Sequence, residues 1–174
     1  MKKLRLSEWY IYIILVLLPT YLLRFTIWSI PLNALDCIIG STFIIFLLKD
    51  RTHIQLGYWK YAMSSFIILG GMAVIVSNNT LAALGLWKSV IVAPVLVGIM
   101  ILSIKPPLYR ILYALSAGVL FVSFIAVLQY ITGYGIPAPW NDRLGDFRLT
   151  SIYEYPNAVG LFLAPVLGML AAWA

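Results

Sequence analysis

The segment Tyr109-Arg-Ile-Leu-Tyr-Ala-Leu-Ser-Ala-Gly-Val-Leu-Phe-Val-Ser-Phe-Ile-Ala-Val-Leu-Gln-Tyr-Ile131 carries one charge, Arg110, and then runs to its end without another. One helical crossing of a bilayer core takes about 20 predominantly apolar residues, so this stretch reads as a transmembrane helix. Outward from it the pattern repeats. Apolar runs cover roughly Trp9 to Leu23, Ala34 to Leu48, Tyr61 to Val76, Ser89 to Ile104, Tyr109 to Ile131 and Asn157 to Trp173. Lys105-Pro106-Pro107 separates the fourth run from the fifth, because neither proline can donate a backbone hydrogen bond.

Composition leads to the same class. Of the 174 residues 63% are hydrophobic and 10% charged, against roughly 25% charged in soluble domains, which excludes a water-soluble globular domain. The expected fold is all-α: a polytopic transmembrane helical bundle of about six spans, with residues 1–174 forming one membrane region and a loop over about 132–156. The single cysteine, Cys37, excludes an internal disulfide, a Cys-based zinc site and a redox pair, and it reads as a buried apolar filler.

The net charge of +6 comes from 12 Lys and Arg against 6 Asp and Glu. These cations stand singly between apolar runs and form no basic stripe, so no nucleic-acid partner is expected; the expected partner is the lipid bilayer. Lys and Arg concentrate in cytoplasmic segments. With a cytoplasmic amino terminus, Lys2, Lys3, Arg5, Lys49, Arg51, Lys60, Lys105 and Arg110 lie inside, and Arg24, Lys88, Arg143 and Arg148 outside. Trp9, Trp59 and Trp173 then fall at the inner surface and Trp28, Trp87 and Trp140 at the outer one, where amphipathic indoles settle.

The longest polar segment, Thr132 to Pro156, holds Asp142, Arg143, Asp146, Arg148 and Glu154 and faces outside on that topology. Gly133, Gly135, Pro137, Pro139 and Gly145 give it turns in place of long elements. Its plain reading is a solvated connector. Its functional reading rests on Arg143 and Arg148, because a guanidinium fork binds phosphate oxygens through two bonds. Asn157 follows Pro156 at the start of the sixth run, where free amides and the helix dipole favour an anion, although proline and asparagine also open ordinary helices.

Two further cations are candidates beside a substrate groove. Arg24 could pair with Asp36, whose plainer reading is the third position of a helix capped by Asn33. Lys88 reads first as an interfacial residue whose ammonium snorkels to the surface, and second as a substrate contact. The single histidine, His53, falls in an inner loop with no ligand set around it. Asp142, Asp146 and Glu154 show no tight acidic spacing, so no metal site is expected.

Three stretches, Leu84-Gly-Leu-Trp-Lys88 followed by an apolar run with Pro94, Leu128-Gln-Tyr-Ile-Thr-Gly133, and Arg148-Leu-Thr-Ser-Ile-Tyr-Glu-Tyr-Pro-Asn-Ala-Val-Gly-Leu-Phe-Leu163, resemble the O-antigen ligase and O-antigen polymerase superfamily of bacterial envelope enzymes. The last is similar to the family's pattern of an arginine, a small residue, an aromatic and a Pro-Asn pair opening a helix. The resemblance covers roughly residues 80 to 174. It implies the amino-terminal part of a GT-C-like membrane glycosyltransferase in the bacterial inner membrane, moving a glycan from an undecaprenyl-diphosphate carrier without metal, nucleotide sugar or other cofactor. It carries over Arg143, Arg148 and the Pro156-Asn157 helix start as substrate-side positions. The family's later loop, which supplies the catalytic histidine, has no counterpart here, so no catalytic residue is assignable and the fragment alone is expected to be inactive. Two other classes stay open: part of a lipid-linked sugar flippase or transporter, and a small non-enzymatic membrane subunit. A transporter would show ionisable or broken-helix positions at mid-membrane, whereas the charges of this sequence gather at the ends of its apolar runs.

Overall fold

The structure, a computed structural model, describes residues 6–27, 30–50, 54, 56–142, 145 and 147–173. They are predominantly helical: α1 (Leu6–Val16), α2 (Ala34–Asp50), α3 (Trp59–Ile75), α4 (Thr80–Trp87), α5 (Ala93–Ile104), α6 (Leu108–Thr132) and α7 (Pro156–Trp173). A π turn over Lys88–Val92 joins α4 and α5 into one 25-residue helix, Thr80–Ile104. That helix, α6 and α7 are long and apolar enough to cross a membrane, and α3 is a shorter apolar helix. These helices mark a membrane protein of all-α class.

The chain divides into two compact units. The first comprises Met1–Ile14 and Thr20–Pro106. Here the sequence reading and the structure differ at the first run. Helix α1 stops at Val16, and a 3-10 turn follows over Leu18–Leu22 with Pro19 buried inside it. A proline has no N–H to continue the ladder and its ring crowds the preceding turn, which ends the helix. Next come β1 (Arg24–Ile27) and β2 (Ile30–Asn33), an antiparallel pair in which Arg24 lies opposite Asn33 and Phe25 opposite Leu32. The connection expected between two spans is thus a hairpin.

Asn33 then caps α2 as expected, its side-chain oxygen accepting the Asp36 amide at 2.7 Å. Helix α2 packs on α5, α3 on α4, and β2 on α4. At the α3–α4 contact Trp87 lies over Gly70 and its indole donates to the Ile67 carbonyl at 3.1 Å. A Cβ on Gly70 would stand 2.6 Å from the Trp87 ring, so only glycine admits this approach. Asn79 caps α4 by accepting from the Ala82 amide, which starts the helix nine residues ahead of the apolar run that began at Ser89. Cys37, expected to be buried, is exposed.

The second unit comprises Leu15–Pro19 and Pro107–Ala174. Lys105, in the left-handed region at φ 52°, closes α5, and α6 opens directly after Pro107. Leu112, Leu115, Val119 and Val122 form the buried face of α6. The helix ends where Gly133 turns left-handed at φ 72° and returns its amide to the Gln129 carbonyl at 2.8 Å. Helix α7 packs on α6, with Phe162 near Gly118 and a tilted ring contact between Tyr153 and Phe162. One face of α7 is open: Cβ atoms placed on Gly160 or Gly168 would meet nothing within 4 Å.

Candidate functional site

The segment between α6 and α7 is organised around one amide. Gln129, in the last turn of α6, is 4% exposed. Its Nε2 donates to the carbonyls of Gly135 and Ser151, both at 2.8 Å. Its Oε1 accepts the backbone amides of Thr150 at 3.2 Å and Ser151 at 2.7 Å. A primary amide has two donors and two lone pairs, and here all four are engaged with backbone. Ser151 sits at φ 52°, and its hydroxyl donates to the Val122 carbonyl at 2.6 Å. A non-glycine residue in that region carries roughly 1 kcal/mol of strain, which these bonds offset.

Outside this knot the loop folds back on itself. Asn141 bridges Phe147, and the Arg148 amide donates to the Trp140 carbonyl at 3.0 Å. The Arg148 guanidinium lies 5.3 Å from the centre of the Trp140 ring, a cation–π stack that leaves the side chain exposed. Four residues after Ser151, Tyr155 leads into α7, whose first residue is Pro156 and whose second, Asn157, is exposed. Proline at the first helical position sacrifices no bond, since that N–H would have no partner. Arg148 and Asn157 therefore belong to one loop-and-helix unit, fixed on α6 through Gln129. Arg143 and Asp146 lie outside the described residues, as do Trp28 and His53.

Arg24 and Lys88 belong to the first unit. Arg24 is exposed on β1. Asp36 does not take it as partner: the carboxylate accepts the Lys88 ammonium at 2.9 Å and the Ser89 hydroxyl at 2.7 Å on the same Oδ2. Lys88 also donates to the Pro31 carbonyl at 2.7 Å, and Asn33 reaches Ser89 Oγ at 3.3 Å. The Lys88 ammonium is therefore held by Asp36 and the Pro31 carbonyl. Two neighbouring residues of one helix reach the same carboxylate where the π turn begins, and π turns recur at functional sites. A groove of about 220 Å³, bounded by Leu32, Cys37, Gly40, Val92 and Leu96, adjoins the Asp36–Lys88 pair.

The position of Lys88 along its helix is unexpected from the sequence. Lys88 stands eight residues after Thr80 in the 25-residue helix, about 12 Å along it at 1.5 Å per residue. Trp87 likewise lies beside the middle of α3, where Ile67 accepts its N–H. Gln129 and Ser89 are polar side chains whose roles the sequence does not announce. The signal for Gln129 was an uncharged amide closing an otherwise apolar membrane helix, a position where a polar group must find partners. Ser89 had none, since its partner is 53 residues away.

Among the described residues no group of three or more His, Cys, Asp or Glu side chains stands close enough to hold a metal ion. No family model, curated protein or solved structure matches the chain.

Proposed function

We propose that this chain is the amino-terminal membrane portion of a bacterial O-antigen ligase- or polymerase-like glycosyltransferase. Its outer loop holds the diphosphate of an undecaprenyl-linked glycan. Arg148 binds phosphate oxygens through its fork, Arg143 assists, and the start of α7 at Asn157, where the helix dipole favours an anion, completes the site. In this reading the amino terminus is cytoplasmic, the chain crosses the inner membrane about six times, and Arg24 and Lys88 line the outer half of the first unit.

The observation that supports the reading most is the Gln129 knot. It joins two of the three stretches on which the family resemblance rests, 128–133 and 148–163, into one hydrogen-bonded unit with Arg148 exposed upon it. A mere connector would have no need of a buried, fully engaged amide.

Donor binding to protein carrying Arg148→Ala or Arg148→Lys tests the reading. A charge-assisted bond contributes about 1.5–3 kcal/mol, so the alanine variant should bind roughly tenfold to a hundredfold more weakly. Lysine should restore only part of this, since a point charge cannot form the fork. Parent-like binding by Arg148→Ala would contradict the assignment.

One observation favours a second reading, transport of a lipid-linked sugar: Lys88, two turns into an apolar helix, is ion-paired with Asp36, and ionisable groups within membrane helices mark substrate or ion pathways. Under that reading, neutralising both groups together abolishes translocation while leaving diphosphate binding at the loop unchanged.

A further inference from the structure

We propose that Gln129 is the positioning residue of the diphosphate site: its side-chain amide clamps Thr150–Ser151 and thereby fixes the seat of Arg148. The inference rests on the phosphate-binding reading of Arg148.

Arg148 is held on two flanks. On one, its own amide is bonded to the Trp140 carbonyl and its guanidinium stacks on the Trp140 ring. On the other, two residues further along the chain, Gln129 takes the amides of Thr150 and Ser151 and returns a donor to the Ser151 carbonyl. Both peptide groups that frame Thr150 are thereby locked to α6, and Thr150 itself is fully buried. The second Nε2 proton goes to the Gly135 carbonyl at the other end of the loop. One side chain therefore sets the separation between the two ends of the segment that carries Arg148.

Two features distinguish this clamp from ordinary core packing. The bonds reach 21 and 22 residues along the chain from a helix side chain to loop backbone, and none of them supports a helix or sheet. They also hold Ser151 in a left-handed conformation with the Ser151 hydroxyl bonded to Val122, and strained backbone persists only where its surroundings over-determine it. A phosphate fork works only if its planar donors are pre-placed, because ordering a loose arginine on binding consumes part of the interaction. Gln129 supplies that order ahead of the ligand.

The test is a mutant cycle on the intact chain in lipid nanodiscs, titrated with a polyprenyl diphosphate and, separately, with the same polyprenyl alcohol. Gln129→Leu removes all four bonds, whereas Gln129→Glu keeps the two bonds accepted from the Thr150 and Ser151 amides but turns a carboxylate oxygen toward the Gly135 and Ser151 carbonyls. Gly168→Ala on α7, where a Cβ meets nothing within 4 Å, is the control outside the clamp. Gln129→Leu should weaken diphosphate binding roughly tenfold, as loss of several modest hydrogen bonds allows, and Gln129→Glu at least as much, since its buried carboxylate faces two carbonyls. Gly168→Ala should bind like the parent, and binding of the alcohol should not change in any variant. The double variant Gln129→Leu/Arg148→Ala should bind no more weakly than Arg148→Ala alone, because Gln129 acts through Arg148.

If Arg148→Ala weakens binding and Gln129→Leu and Gln129→Glu do not, the clamp is structural and this inference is overturned while the phosphate reading stands. If the two losses multiply in the double variant, Gln129 does not act through Arg148 and the inference is likewise overturned. If Arg148→Ala binds like the parent, the phosphate reading fails first. Should the leucine variant not assemble as a monodisperse species, the glutamate variant and its double with Arg148→Ala carry the same comparison.

Discussion

Asp36 shows how one residue serves both a helix end and a long-range pair. Its amide is capped by Asn33 and its carboxylate holds Lys88 and Ser89, so the same first turn of α2 is bound locally and across the first unit. The cap was legible, because Asn33 and Asp36 stand three apart at the edge of an apolar run. The partner was not, since Lys88 is 52 positions away and nothing in a sequence distinguishes it from Arg24, which is closer. The side chains of Lys88 and Asp36 are 24% and 8% exposed, so removing one partner leaves a charge in a poorly solvated place. Asp36→Asn should therefore destabilise the first unit by about 3 kcal/mol, the low end for breaking buried pairs. Asp36→Leu with Lys88→Met should lose much less, because no orphaned charge remains. Thermal unfolding of the purified variants in nanodiscs checks this. If the double variant loses as much as the two single ones combined, the pair is not an isolated electrostatic unit.

At the scale of elements, the apolar runs gave the number and approximate extent of the helices, and the Pro106-Pro107 break lies where α5 gives way to α6. Run length alone misjudged two ends. Pro19 closes α1 early although the residues after it stay apolar, and the start of α4 at Thr80 was hidden because Asn78, Asn79 and Thr80 resemble a loop until the cap is seen. Both errors come from treating hydrophobicity as a helix signal when backbone hydrogen bonding sets the boundary. The contact of α3 with α4 depends on the absent side chain at Gly70. Gly70→Ala would drive a Cβ to 2.6 Å from the Trp87 ring and 2.5 Å from the tip of Ile91. Overpacking of this kind destabilises by roughly 1–3 kcal/mol, and the Trp87 bond to Ile67 should break. Gly160→Ala on α7, where a Cβ meets nothing within 4 Å, is the matched control and should leave the unfolding temperature unchanged. Equal loss in both variants would mean that the Trp87 contact does not hold α3 and α4 together.

On the scale of the whole molecule, the membrane class followed from composition, and three of the helices have the length and apolarity for a crossing. The proposed site was legible only in part. Arg148 and Asn157 could be chosen for their chemistry and position, but the role of Gln129 depends on four bonds to backbone whose existence no residue pattern announces. Two places are candidates for a lipid-linked ligand: the loop around Trp140 and Arg148 in the second unit, and the groove beside Cys37 and the Asp36–Lys88 pair in the first. Photo-crosslinking separates them most directly. A photoreactive residue is placed at Trp140, at Leu96 on the groove, or at Tyr61 as a remote control, in the intact chain in nanodiscs holding a labelled polyprenyl diphosphate. Because the residue at 140 also removes the ring that Arg148 stacks on, a second probe at exposed Tyr155 guards that arm. The account predicts labelling at Trp140 and Tyr155, competed by unlabelled diphosphate but not by the alcohol and lost at Tyr155 when Arg148→Ala is added. Labelling at Leu96 with none at Trp140 or Tyr155 would contradict it.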